Sequence, residues 1–303
     1  MFKISGECGD LRPYAKNDDE WFAMIKECGF DSVDYGFWGS PNTDFILNQG
    51  DDAIKAFCKE LKETANKHDL FFGQAHAPAY LPWDLEPERY FDEEYVKMFI
   101  NSVKAAAWID CPYLVFHPIM FMDPENNFFK SIDYNKRFFE ILKPYALEYG
   151  VTICIENMCA LNPLRNQGVP SNSSSAEKLS FLIDQLGEGF GACLDTGHAF
   201  FCGQEPGKFA RLLGDRLKVV HMQDSDGVQD IHVPPTYGYA DWQDFLKALK
   251  EINFKGILNL EVSYVGSHNC KCTYNPITVE PLIAMGKYQT ALARDFAKYI
   301  ENL

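Results

Sequence analysis

The chain has 303 residues, 47% of them hydrophobic and 23% charged, and a formal net charge of −15 from 28 basic and 43 acidic side chains. That composition excludes a disordered, collagen-like or disulfide-dense chain and leaves ample material for a core. The acidic balance argues against a nucleic-acid binder, whose binding face carries a basic field, and suits a protein that holds divalent cations.

Short apolar runs predict eight strands: FKISG (2–6), SVDYG (32–36), LFFGQAH (70–76), PYLVFH (112–117), VTICIE (151–156), GACLD (191–195), LKVVHM (217–222) and GILNLEV (256–262). Amphipathic stretches such as DDEWFAMIKECG, AIKAFCKELKETANKHD, YNKRFFEILKPYALEYG and DWQDFLKALKEI lie between them. In the second of these, Ile54, Phe57, Cys58, Leu61 and Ala65 recur at spacings of three and four, which is one face of a helix. Strands alternating with helices pair in parallel through right-handed crossovers. Eight strand centres at steps of roughly 36 residues predict an α/β chain, a single (β/α)8 TIM barrel forming one domain over 1–303.

Length is concentrated after strands, in 77–91, 118–131, 157–175, 223–240 and 263–279, so the barrel should carry long βα loops on its C-terminal face. Their aromatics (Trp83, Phe121, Phe128, Tyr237, Tyr264) suit the walls of a small-molecule pocket. SNSSSAEKL (171–179) reads as a loop running into a helix N-cap. The N-terminus, MFKISGECGD, has no apolar core of signal-peptide length, and no window approaches the roughly 18 apolar residues of a membrane span. A cytoplasmic protein with no membrane association and ten reduced cysteines is expected. Cys270-x-Cys272 reads as two loop thiols.

Five of the seven histidines, His76, His117, His198, His221 and His232, fall at or just beyond a strand end. Carboxylates end strands at Glu156, Asp195 and Glu261, and Asp230 stands two residues before His232. In a barrel the C-terminal strand ends converge on one axis, so these nine residues should meet. Mixed imidazole and carboxylate ligands suit Zn²⁺, Mn²⁺ or Fe²⁺ better than Ca²⁺.

GQAHAP (73–78), FHP (116–118), IEN (155–157), LDTGHAF (194–200), HMQD (221–224), DIHVPP (230–235) and LEV (260–262) resemble the xylose-isomerase-like barrel superfamily. That superfamily includes sugar and sugar-phosphate isomerases and epimerases, inosose dehydratases and metal-dependent apurinic endonucleases. The resemblance implies a metal site of Glu156, Asp195, His221 and Glu261, with His198 contacting substrate in an epimerase. His76, His117, Asp230 and His232, with His198, match the further ligands of the trinuclear nuclease site, and in an epimerase the histidines His76, His117, His198 and His232 would bind substrate. Departures weigh against the nuclease. Glu156 is followed by NMCALNP in place of a turn reading Ala-Gly-Gln-Gly, His117 leads into Pro-Ile-Met in place of Pro-Gly-Ser, and Ile231 stands where an Arg would. Residues 222–240 also contain no Lys or Arg. HVPPTYGYADW (232–242) resembles the sugar-isomerase consensus of histidine, Pro-Pro-Gly, a second Gly and Asp-Trp, with Thr236 in place of the first Gly; Asp241 should cap a helix that Trp242 packs.

The expected function is a metal-dependent sugar or sugar-phosphate isomerase or epimerase, moving a proton next to a carbonyl through an enediolate. Glu156 and Glu261 would be the catalytic acid–base pair. The alternatives are an apurinic-endonuclease-like multi-zinc phosphodiesterase and an inosose-dehydratase-like lyase. Zinc or manganese is the expected cofactor, magnesium, cobalt and iron being further candidates, with no organic cofactor. A small sugar or polyol is the expected partner, and a homo-oligomer stays open.

Overall fold

Side chains of a strand alternate between two faces, so each apolar run here has one set to give to helices and another to give to the inside of a barrel. The computed structural model describes residues 2–39, 43–78, 87–121, 127–162, 167–262 and 278–303, the side chains of 160–169 apart. Trp83, Tyr264 and the Cys270–Cys272 pair lie outside the described residues. Eight parallel strands close the barrel: β1 (Ile4–Gly6), β2 (Ser32–Gly36), β3 (Phe71–His76), β4 (Tyr113–Phe116), β5 (Thr152–Glu156), β8 (Phe190–Asp195), β9 (Leu217–Met222) and β10 (Leu258–Leu260). Closure comes from β1, which pairs with β10 on one side and β2 on the other.

The helices α1 (Asp18–Cys28), α2 (Asp51–Lys67), α3 (Glu93–Trp108), α4 (Phe128–Tyr149), α5 (Ala176–Leu186), α7 (Pro206–Leu213), α8 (Trp242–Glu251) and α9 (Glu280–Asn302) complete the βα units. Local chemistry sets their ends. Asn17, Ser175 and Asp241 accept from main-chain N–H groups as N-caps, and Gly29 and Gly150 end helices at φ 94° and 68°. The predicted face of α2 is the buried one, at Ile54, Cys58, Leu61 and Ala65. Among the described residues no helix is long and apolar enough to cross a membrane.

Outward-facing Val33, Leu114, Ile153, Leu194 and Leu258 join the helices in the main core. The inward face is divided. Val115, Cys154, Cys193 and Val219 form a small apolar layer, whereas Ser5, Ser32, Asp34, Gln74 and Asn259 line the other side of the barrel with buried polar groups. Returns from helix to strand are short (29–31, 68–70, 150–151, 187–189), so the strands' C-terminal ends are left to the longer connections. One of these holds an antiparallel hairpin, β6 (Cys159–Asn162) with β7 (Gln167–Pro170), and another starts directly with the short helix α6 (Thr196–Phe201). The serine run before α5 is buried at Ser171, Ser173 and Ser174, and Ser171 Oγ donates to the Met158 carbonyl at 2.5 Å.

Candidate metal centre

The ladder registers set the site. Asp195 lies beside His221, His221 beside Asn259, and Glu156 beside Cys193, all facing inward. Ligand atoms of Glu156, Asp195, His221 and Glu261 fall within 4.8 Å of one another, and so do those of His76, His117 and Glu156. His221 Nδ1 stands 2.8 Å from Glu261 Oε2 and 3.4 Å from Glu156 Oε1. His117 Nε2 is 3.2 Å from Glu156 Oε2, and His198 Nδ1 is 3.3 Å from Glu156 Oε1. Asp230 lies between His198, at 3.4 Å, and His232, at 3.0 Å. All nine residues singled out in the sequence therefore lie in one continuous cluster.

The supporting groups are as ordered as the cluster itself. Asp195 caps α6 by accepting from His198 N–H at 2.6 Å, and the same Oδ1 accepts from Gln223 Nε2 at 3.0 Å. Its Oδ2 is buried without a hydrogen-bond partner. Gln223 can reach Asp195 because residue 197 is glycine: a Cβ there would stand 2.1 Å from the Gln223 Oε1. Asn157 and Asp195 exchange hydrogen bonds, Asn157 Nδ2 to the Asp195 carbonyl at 2.9 Å and Asp195 N–H to Asn157 Oδ1 at 2.7 Å, tying the end of β5 to that of β8. The connection carrying Asp230 and His232 is pinned by buried Asp224, which accepts from Thr236 N–H, Ser225 N–H and Trp242 Nε1. Thr236 adopts φ 76°, the left-handed conformation that glycine takes without strain. Trp242 packs flat on Phe296 at 5.6 Å, and Asp241 caps α8.

Three site residues escaped the sequence reading. Asp34, at the end of β2, accepts from His76 Nδ1 at 3.0 Å, Gln74 Nε2 at 2.8 Å and Asn259 Nδ2 at 2.9 Å. It fixes His76 so that its Nε2 is buried without a hydrogen-bond partner. Glu7, just after β1, shares the field of Glu261, His76 and Asp34. Trp38 lies 5.2 Å from the His76 ring. The available signal for Asp34 was an acid in the middle of a predicted strand, on the same face as Ser32. Of the loop aromatics expected as pocket walls, Phe121 packs on Tyr134 at 5.6 Å and Phe128 on Phe181 at 6.1 Å, while Tyr237 is 62% exposed beside Tyr288. Phe121 and Phe128 thus have packing partners on α4 and α5, and Tyr237 stands at the surface beside α9.

So many acids and imidazoles in one buried place shift each other. Burial pushes the Asp195 carboxyl up to about 7 against the pull of His198, and burial with Glu261 nearby raises Glu7 to about 7. Burial would also raise Glu156, but His221, His117 and His198 hold it well below the carboxylate range. Burial disfavours charge on the imidazoles, yet Asp34 raises His76 to about 9 and Asp230 raises His232 to about 10. Carboxylates crowded this closely call for compensating positive charge, from imidazolium or from a cation. The orphaned Asp195 Oδ2 and His76 Nε2, each on a side chain anchored through its other atom, fit a divalent ion in the manner of anchored metal ligands.

The profile of the Xylose isomerase-like TIM barrel family matches residues 22–279. The chain belongs to that family. Among relatives of this xylose isomerase-like barrel, an uncharacterised protein of Methanocaldococcus jannaschii is 25% identical over 273 residues, covering 87% of this chain and 88% of the relative. A probable endonuclease 4 of Nitrosopumilus maritimus is 29% identical over 189 residues, covering 58% of this chain and 63% of that one. Among solved structures, a D-tagatose 3-epimerase-like protein superposes with a TM-score of 0.71 at 18% identity, covering 99% of this chain and 98% of its own, which is a likeness of fold.

Proposed function

We propose that this xylose isomerase-like barrel is a divalent-metal-dependent epimerase or isomerase of sugars. The observation that carries the reading is the convergence of Glu156 and Glu261, from non-adjacent strands, on one buried imidazole, His221. A divalent cation bound to Glu156, Asp195, His221 and Glu261 would supply Lewis acidity toward a carbonyl and its neighbouring hydroxyl. Glu156 and Glu261 each carry two oxygens, so each has one to offer a substrate C–H as proton acceptor or donor. Two such groups at different azimuths of the barrel mouth can remove a proton from one face of a planar carbon and return it from the other. His76, His117, His198 and His232 are the proposed contacts to sugar hydroxyls. The sugar-epimerase names among similar folds support the same reading.

A second reading, a multi-ion phosphodiesterase, is favoured by one observation: the His76–His117–Glu156 and His198–Asp230 groups adjoin the first set, and relatives are named endonuclease 4. Charge speaks against it. Among the described residues that follow strands on this face, the cations are Arg12, Lys16, Arg89 and Lys130, and Arg12, Lys16 and Arg89 face Asp18, Glu20 and Asp92. Phosphate contacts hold proteins on DNA, and few are on offer here. The reading is tested by incubating the manganese- or zinc-loaded protein with ketoses and an inosose in D₂O, and separately with duplex DNA containing an abasic site. Deuterium uptake next to the sugar carbonyl supports the epimerase, and strand incision without exchange overturns it.

A further inference from the structure

Trp38 stands two residues past the end of β2, and its neighbours set its place while 38% of it remains exposed. Phe37 N–H donates to the His76 carbonyl at 3.0 Å, carrying the β2–β3 ladder one residue further, and the buried Phe37 ring packs on Tyr35 at 5.1 Å. A Cβ on Gly36 would overlap the Trp38 indole, and a Cβ on Gly39 would overlap the Phe45 ring, so two glycines let this segment turn toward the barrel mouth. The indole lies 5.2 Å from the His76 ring, tilted by 39°, and His76 lies 4.7 Å from the His221 ring, tilted by 35°. A single exposed indole is ordinary on a protein surface, but this one is the outermost of three rings that lead down to the buried centre. Its electron-rich face attracts polarised C–H groups, which a sugar presents where its hydroxyls point away.

The rest of this side of the mouth is acidic. Glu7 N–H donates to the Leu260 carbonyl at 3.1 Å, which holds Glu7 in the field of Glu261 and Asp34. The cations of the same connection, Arg12 and Lys16, face Asp18 at 2.8 Å and Glu20 at 3.7 Å. A phosphate arriving here would meet carboxylates and cations that are already paired. We infer that Trp38 is the platform for the end of the substrate remote from His221, and that this end is uncharged and rich in C–H groups. The inference rests on the sugar reading of the Glu156 centre and adds to it the residue that selects the sugar.

The test is ligand-observed NMR titration of the zinc-loaded full-length protein with ketohexoses, their 1- and 6-phosphates and their sugar alcohols. Sugar alcohols have no carbonyl, so their binding is read without any proton exchange. Trp38→Ala should weaken the free sugars and sugar alcohols about tenfold, and Trp38→Phe, which keeps an aromatic face, should retain most of the affinity. The phosphate esters should bind the wild type more weakly than the free sugars. Equal affinity of wild type and Trp38→Ala, a wild type that binds none of these probes, or an ester bound more tightly than its free sugar overturns the assignment. The two proposals fail separately. Sugar-alcohol binding that depends on Trp38, without proton exchange in any ketose, overturns the epimerase and leaves the platform. Exchange whose KM is unmoved by Trp38→Ala overturns the platform and leaves the epimerase.

Discussion

Asp34→Asn separates the positioning of the imidazoles from the ligands themselves. The Asp34 oxygens take three side-chain donors, from His76, Gln74 and Asn259. An amide offers one acceptor oxygen and one donor nitrogen. If the nitrogen faces Gln74 and Asn259, two buried donors lose their acceptor, at about 1–3 kcal/mol each. If it faces His76, the imidazole gives up the Nδ1 proton that the Asp34 carboxylate held there, keeps one on Nε2 and accepts the amide N–H at Nδ1, so that contact is kept. The second arrangement wins, at about 1 kcal/mol for the weaker amide bonds, which lowers Tm by about 1–2 °C in a chain of this size. Asp34 Oδ2 also stands 3.7 Å from Nε2 of the proposed ligand His221, so the substitution takes the outer carboxylate away from that imidazole too, and zinc affinity falls about 10–100-fold. Calorimetric titration with zinc reads the affinity, and imidazole ¹⁵N shifts read the tautomer. Unchanged affinity with the Nδ1–H form retained would refute the reasoning.

Three further outcomes follow from the same contacts. Thr236→Gly should stabilise the protein by about 1 kcal/mol, because a β-branched residue held at φ 76° costs about 1–3 kcal/mol and glycine's looser unfolded chain returns only part of that; a lower denaturation midpoint contradicts this. Asp224→Ala leaves the Thr236, Ser225 and Trp242 donors without their acceptor and should cost about 3–5 kcal/mol; urea unfolding measures it, and an unchanged midpoint contradicts it. Burial would raise Asp31, but Arg294 at 2.6 Å and the Ile4 N–H lower it below its unfolded value of 3.8. Its stabilising effect is therefore fully present above pH 3.8 and disappears as pH falls through the folded value. Asp31→Asn should lose stability at pH 7 and match the wild type near pH 2, and a difference independent of pH would contradict the assignment.

Much of the barrel was legible because a buried parallel strand writes itself as a compact apolar run. SVDYG and LKVVHM coincide with β2 and β9, and the other runs miss their strands by one or two residues at one end or at both. The β6–β7 hairpin was not legible, since CALN and QGVP lack both apolar alternation and a strong turn pair. Helix α6 was hidden inside LDTGHAF, where the capping role of Asp195 is indistinguishable from a strand-end acid. The strand-end histidines and acids stood out because polar residues ending apolar runs are visible one at a time. Asp34 did not, because its significance comes from a neighbour far along the chain, Asn259. The serine-rich segment 171–179 runs as a loop into the Ser175 N-cap of α5 as its composition indicated, but its burial was not legible, since Asn172 packs in by accepting from the Phe121 N–H.

The account rests on Glu156 and Glu261 working as a proton-transferring pair across one metal centre. Proton exchange at the carbon next to a ketose carbonyl, followed by NMR in D₂O, measures that directly. The account predicts exchange with the metal-loaded wild type and its loss in both Glu156→Gln and Glu261→Gln, each still holding its ion by metal analysis. Exchange that survives in both metal-loaded variants would contradict it.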